Sequence, residues 1–149
     1  MLFRSPSNTT MSILITGGTG QTSSRVARLL QLADKKVIVA SRNPSSIPST
    51  STSHSIKFDW TDATTHGNPF STGLGKVESA YLLPPAGVFD VFGVMKGFID
   101  LAIEKGVKRF VLISASLAEA GGPSVGQVHQ YLVESGVDYC VIRPSWFFG

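Results

Sequence analysis

Short apolar runs punctuate this chain at intervals that helices would fill. "ILI" (13–15), "VIVA" (37–40), "IKF" (56–58), "AYLL" (80–83), "FVLIS" (110–114) and "YCVI" (139–142) show almost no polar alternation. That is the pattern of parallel strands covered on both faces. Between them, Val26, Leu29, Leu30 and Ala33 recur at helical spacing, as do Phe92, Met95, Phe98, Ile99, Ala102 and Ile103, and then Val125, Val128 and Leu132. Pro123 suits the first turn of the last helix, and Gly106 and Gly136 stand just past helices, where a left-handed residue is wanted. The alternation predicts an α/β fold, a doubly wound parallel sheet of six strands. One segment interrupts it. "NPSSIPSTSTSHS" (43–55) is too rich in serine, threonine and proline for a crossover helix, and predicts a flexible surface loop with at most a short turn.

Composition narrows the class. With 149 residues, 42% of them hydrophobic and 15% charged, the chain reads as one globular domain over 12–149. Residues 1–11 read as a disordered extension, because "MLFRSPSNTT" lacks the apolar centre of a secretory signal. The net charge of +3 is scattered and not interleaved with aromatics, which argues against a nucleic-acid partner but suits an anionic cofactor. No apolar run approaches the roughly twenty residues of a membrane span, so no membrane partner is expected. The single cysteine, Cys140, cannot form an intramolecular disulfide; it reads as a small buried hydrophobe in a reducing, cytoplasmic setting. His54 and His66 fall in predicted loops, without the cysteine or carboxylate spacing of a metal site.

The chemistry concentrates after the first strand. "ITGGTGQTSS" places Gly17, Gly18 and Gly20 between a strand and a helix, with Ser23 completing a Gly-x-x-Gly-x-x-small spacing. A glycine there takes positive φ, and its missing side chain lets backbone amides reach a pyrophosphate at the helix N-terminus. A Walker-type loop would end in Gly-Lys-Ser/Thr, which is absent. The reading is therefore a dinucleotide-binding Rossmann fold. The second strand ends in Ser41 and Arg42, where a carboxylate would hold the ribose hydroxyls of NAD. An arginine instead offers a charged fork to a 2′-phosphate, so the cofactor reads as NADP(H). Asp59, after the third strand, stands either where the adenine amine is held or as an ordinary turn aspartate. Leu83 and Pro84, in "LLPP" (82–85), end the fourth strand beside the ribose path, as a stiff lid or simply as a strand stop.

These segments, with "GVKRFVLISAS", "GGPSVGQVHQYL" and "VIRPSWF", resemble the NmrA-like group of atypical short-chain dehydrogenases, and most closely the fungal ergot-alkaloid reductases that make festuclavine or agroclavine. The likeness runs from Ile13 to Phe148 and matches only the amino-terminal half or so of such an enzyme. The resemblance implies NADPH binding by Gly17, Gly18, Thr19, Gly20, Gln21 and Thr22, with Ser41 and Arg42 at the adenosine end. It also implies a small alkaloid-type substrate, a tetracyclic iminium formed from chanoclavine-I aldehyde with the help of glutathione.

Ordinary short-chain reductases use a Tyr-x-x-x-Lys pair to protonate an alkoxide. Here Tyr131 is followed four residues on by Ser135, so the pair is missing. An iminium acceptor needs no such acid, because hydride neutralises it, and positioning then carries the catalysis. The alternatives are a dinucleotide-binding redox sensor without catalysis, or a shortened, inactive family member. Ser114 and Ser116 at the end of the fifth strand, and His129 in the last helix, are the candidate catalytic contacts; helix capping and a solvated helix position are the competing readings. Trp146, Phe147 and Phe148 either line an aromatic pocket or pack against residues beyond this sequence.

Overall fold

In the computed structural model, which describes residues 10–145, strands and helices alternate almost as the apolar runs require. Strand β1 (Met11–Ile15) leads into helix α1 (Gln21–Leu32), followed by β2 (Lys36–Ser41), β3 (Ser53–Lys57) and β4 (Lys76–Leu82). Helix α2 (Val91–Glu104), β5 (Arg109–Ile113), α3 (Val125–Glu134) and β6 (Asp138–Ile142) complete the chain order. All pairings are parallel, and the sheet order is β3-β2-β1-β4-β5-β6. The order reverses direction at β1, so the crevice beyond the carboxyl ends of β1 and β4 is where a ligand is expected.

Two apolar layers sandwich the sheet. Helix α1 covers Ile15, Val37, Val39, Tyr81 and Ile113 through Ala27. Helices α2 and α3 cover Leu14, Ile38, Ala80, Leu82, Phe110 and Leu112, with Met95, Phe98, Ile99 and Leu132 fully buried at the join. Each such side chain stabilises the fold by about 1.5–3 kcal/mol relative to exposure. Asp90 caps α2, its Oδ1 accepting the Gly93 N–H at 2.8 Å. Gly106 and Gly136 take positive φ just past α2 and α3, as expected.

Several expectations are corrected. Strand β3 starts at Ser53 and stops before Phe58, so His54 is in a strand and the polar loop shortens to 42–52, with one 3₁₀ turn at Pro44–Ser46. As an edge strand, β3 pairs only with β2, and a polar side chain costs little there. Pro123 does not open α3. It precedes Ser124, which takes φ +57° as the helix N-cap, in a turn closed by Gly126 N–H to the Pro123 carbonyl at 3.2 Å. Cys140 is exposed, because among the described residues β6 pairs with β5 alone. His66 does lie in a loop, at the end of the 3₁₀ turn Ala63–Thr65, but is buried there against Phe58. Met11 already belongs to β1. Thr10 is also placed, its carbonyl accepting the Lys76 N–H at 2.9 Å; residues 1–9 of the N-terminal extension and Trp146, Phe147 and Phe148 lie outside the described residues.

Candidate functional site

The glycine turn joins β1 to α1, and its three glycines do different work. Gly17 has φ +68°, and a Cβ there would lie 2.6 Å from Leu83 Cδ2. Gly18 is a packing glycine: its Cβ would stand 2.3 Å from Val39 Cγ1, and its N–H donates to the Ala40 carbonyl at 3.0 Å. Gly20 closes the turn, its N–H donating to the Gly17 carbonyl at 2.8 Å, and it serves as N-cap of α1 with no side chain to cap the helix. Ser23 fulfils the small-residue role, fully buried with its hydroxyl donating to the Thr16 carbonyl at 2.8 Å. Among the described residues, the N–H groups of Thr19, Gln21, Thr22 and Ser23 have no acceptor. Unpaired amides at the positive end of a twelve-residue helix, behind a side-chain-free turn, suit a pyrophosphate.

Beside the turn opens a cavity of about 400 Å³, large enough for the adenosine half of a dinucleotide. Gly17, Thr19 and Gly20 form one side, Ser41 to Asn43 the β2 corner, Phe58 to Thr61 a second wall, and Leu83 to Ala86 a third. Ser41 is buried, and its Oγ accepts the Asn43 N–H at 3.1 Å, which turns the chain so that Arg42 stands exposed at the rim. Arg42 makes no ion pair among the described residues, while its carbonyl accepts from Lys57 Nζ at 2.5 Å. Asp59 Oδ1 accepts both the Thr61 N–H (2.9 Å) and the Thr61 hydroxyl (2.8 Å). Those two bonds, and secondarily Arg42 and Lys57, hold its carboxyl below the ordinary carboxylate range. Asp59 is thus both a turn aspartate and a cavity residue.

The predicted residues fall into three groups. Gly17, Thr19, Gly20, Ser41, Arg42, Asp59, Leu83 and Pro84 line the cavity together. Gly18, Gln21 and Thr22 flank it in the turn and the first turn of α1. Ser114, Ser116 and His129 are not among its lining residues. Ser114 donates its N–H to the Ile142 carbonyl at 2.8 Å, while its Oγ is buried with no partner among the described residues; Ser116 is exposed. His129 tilts against Tyr139 at 6.0 Å, with its Nδ1 buried and likewise without a partner among the described residues. The Tyr131 hydroxyl, the phenol nearest the expected acid position, donates to Asp100 Oδ1 on α2.

Sequence reasoning missed Thr16 and Trp60. Thr16 is buried and its Oγ1 accepts the Leu83 N–H at 2.8 Å; the Trp60 indole N–H donates to the Leu83 carbonyl at 3.0 Å. The only available signal was an indole directly after Asp59, since a buried tryptophan N–H seeks an acceptor.

Comparison with known proteins agrees with the geometry. The profile of a family described as NAD(P)H-binding matches residues 17–148. Festuclavine synthase I of Penicillium roqueforti (strain FM164) is 44% identical over 142 residues, covering 92% of this chain and 48% of that protein. Agroclavine dehydrogenase of Claviceps fusiformis is 45% identical over 140 residues, covering 92% and 47% respectively. The chain thus spans about half the length of the curated relatives it matches. Among solved structures, the Bordetella bronchiseptica enzyme WbmH in complex with NAD+ superposes with a TM-score of 0.69 at 16% identity, over 91% of this chain and 56% of that one, which is a likeness of fold. The glycine turn, the cavity against it and the family match together make this chain a member of the NAD(P)H-binding family of Rossmann domains, with a nicotinamide dinucleotide as its class of cofactor.

Proposed function

We propose that the chain is the cofactor-binding part of an NADPH-dependent oxidoreductase that reduces a C=N bond, an iminium, in ergot-alkaloid synthesis of the agroclavine or festuclavine type. The observation that carries this reading is the fate of Tyr131. Its hydroxyl is committed to Asp100, and Asp100 is held in turn by Lys96 Nζ at 2.7 Å, so this phenol is not offered to a substrate. A carbonyl acceptor would need an acid for its developing oxyanion; an iminium needs none. The bound cofactor supplies hydride. The chain's own residues then have positional tasks. The amides of Thr19, Gln21 and Thr22 hold the pyrophosphate, Arg42 with Ser41 receives the 2′-phosphate, and Asp59 and Leu83–Pro84 flank the adenosine half. The names of the relatives support the alkaloid class, and an iminium formed with the help of glutathione fits a site in which Tyr131 is engaged by Asp100.

A second reading, dinucleotide sensing without catalysis, draws on the position of Ser114, Ser116 and His129 outside the cavity. One experiment separates the two. The purified chain is titrated with NADPH and NADH by calorimetry, then given a cyclic iminium and the preferred cofactor. Tighter binding of NADPH with turnover is the expected result. Binding without turnover favours the sensor or a shortened, inactive member, and a preference for NADH refutes the role of Arg42.

A further inference from the structure

The wall formed by Leu83, Pro84 and Pro85 faces a mechanical difficulty. Prolines have no N–H, so two successive positions of this wall cannot be fastened to the sheet by amide donation. Leu83 is the last residue before them, and both of its backbone groups are held by side chains from other strand ends. Its N–H goes to Thr16 Oγ1 (2.8 Å), whose hydroxyl donates to the Tyr81 carbonyl at 3.0 Å, and its carbonyl accepts from Trp60 Nε1 (3.0 Å). Trp60 is therefore a strut between two walls of the cavity, the 58–61 turn and the 83–86 segment.

The strut has a rigid foundation. The indole stands edge-on to Phe58 at 5.0 Å and to Phe98 at 5.4 Å, and Phe98 is fully buried. The turn that carries it is fixed as well, because the Asp59 N–H donates to Thr65 Oγ1 at 2.9 Å and the Asp59 carbonyl lies 3.1 Å from His66 Nε2. We propose that Trp60 is a positioning residue for the cofactor: by gripping the Leu83 carbonyl it fixes the Leu83–Pro85 wall over Gly17, at the width the dinucleotide needs. This rests on the reading of the cavity as the dinucleotide site. Without the indole N–H, Leu83 keeps only its tie to Thr16, the wall rocks, and ordering it on binding weakens affinity.

The test compares Trp60→Phe with Phe70→Leu in the full chain. Phe70 belongs to the same apolar cluster, stacked on Phe98 at 6.1 Å, but neither lines the cavity nor pairs with the Trp60 ring, so it controls for loss of packing. Trp60→Phe is expected to weaken calorimetric NADP+ binding about three- to tenfold, the worth of one hydrogen bond. It should also speed amide hydrogen exchange between residues 82 and 88. Phe70→Leu should lower thermal stability while leaving affinity and exchange in that segment unchanged. Equal NADP+ affinity in Trp60→Phe and wild type overturns the inference, as does equal weakening by both variants. A wild-type chain that binds no dinucleotide at all overturns the cofactor reading and this inference with it, an outcome that the wild-type titration alone identifies.

Discussion

Replacing Gly18 by alanine puts the packing of the glycine turn to a quantitative test. The added Cβ would stand 2.3 Å from Val39 Cγ1, 3.1 Å from Ile47 Cδ1 and 3.3 Å from the Ala40 carbonyl oxygen. Ordinary carbon contacts lie at about 3.5–4.0 Å, so the overlap with Val39 exceeds an ångström. Val39 cannot swing aside cheaply, being β-branched, in the middle of β2 and only 2% exposed. Either the valine leaves its rotamer or the turn lifts and lengthens the 3.0 Å Gly18 N–H bond to Ala40. Overpacking costs about 1–3 kcal/mol and a weakened hydrogen bond about 1 kcal/mol, giving roughly 2–4 kcal/mol in all. For a chain of this size that lowers Tm by about 5–15 °C. Urea denaturation is the assay: the midpoint should fall while the m-value stays constant. Val39→Ala removes the clashing methyl, so the double variant should be less destabilised than the two single changes summed. A Gly18→Ala chain within about 0.5 kcal/mol of wild type, the range of an ordinary surface change, would refute the assignment of Gly18 to packing.

Gly17→Ala should behave differently, since its strain comes from φ +68° and its Cβ would meet the movable end of Leu83. About 1–2 kcal/mol of stability should be lost, with NADP+ binding measured by calorimetry falling at least about tenfold. Arg42→Ala should weaken NADPH binding by about 10- to 100-fold, the worth of a charge-assisted bond, and leave NADH binding unchanged; parallel loss of both cofactors would refute the phosphate role. Asp100 is held below the ordinary carboxylate range first by Lys96 and then by Tyr131. Its contribution to stability is therefore complete above about pH 4 and fades as pH falls through the lowered value. Asp100→Asn should flatten that part of the acid denaturation curve, and an unchanged curve would show that the cluster contributes nothing. Cys140, exposed on β6, should react with a thiol reagent in the native chain without denaturant.

What could be read from sequence was whatever neighbouring residues decide. The apolar runs located the four inner strands because strands buried on both faces cannot hide their composition, and found the outer strands β3 and β6 only through the shorter runs at Ile56–Lys57 and 139–142. The glycine spacing located the turn into α1 because a sharp turn into a helix is a local event, complete between Thr16 and Ser23. Errors arose where the sheet ends. Ser53 and His54 looked like loop and Cys140 looked like core, because a run of side chains does not say that, among the described residues, β3 and β6 each pair with a single strand. Ser124 at φ +57° moved the start of α3 past Pro123, a backbone choice that no propensity favours.

The cavity's width was invisible for a further reason. It depends on bonds between residues 67 and 23 positions apart, Thr16 with Leu83 and Trp60 with Leu83, and each links a side chain to a carbonyl or amide that carries no sequence signature. Of the two parts of the proposed dinucleotide site, the glycine turn is thus written in a local motif, while the width of the cavity beside it is set by tertiary ties. A relative that kept "TGGTG" but had phenylalanine in place of Trp60 should retain the anion cradle and lose part of its hold on the rest of the dinucleotide. Titration of such a chain with pyrophosphate alone and with NADP+ distinguishes the two, since only the second affinity should fall.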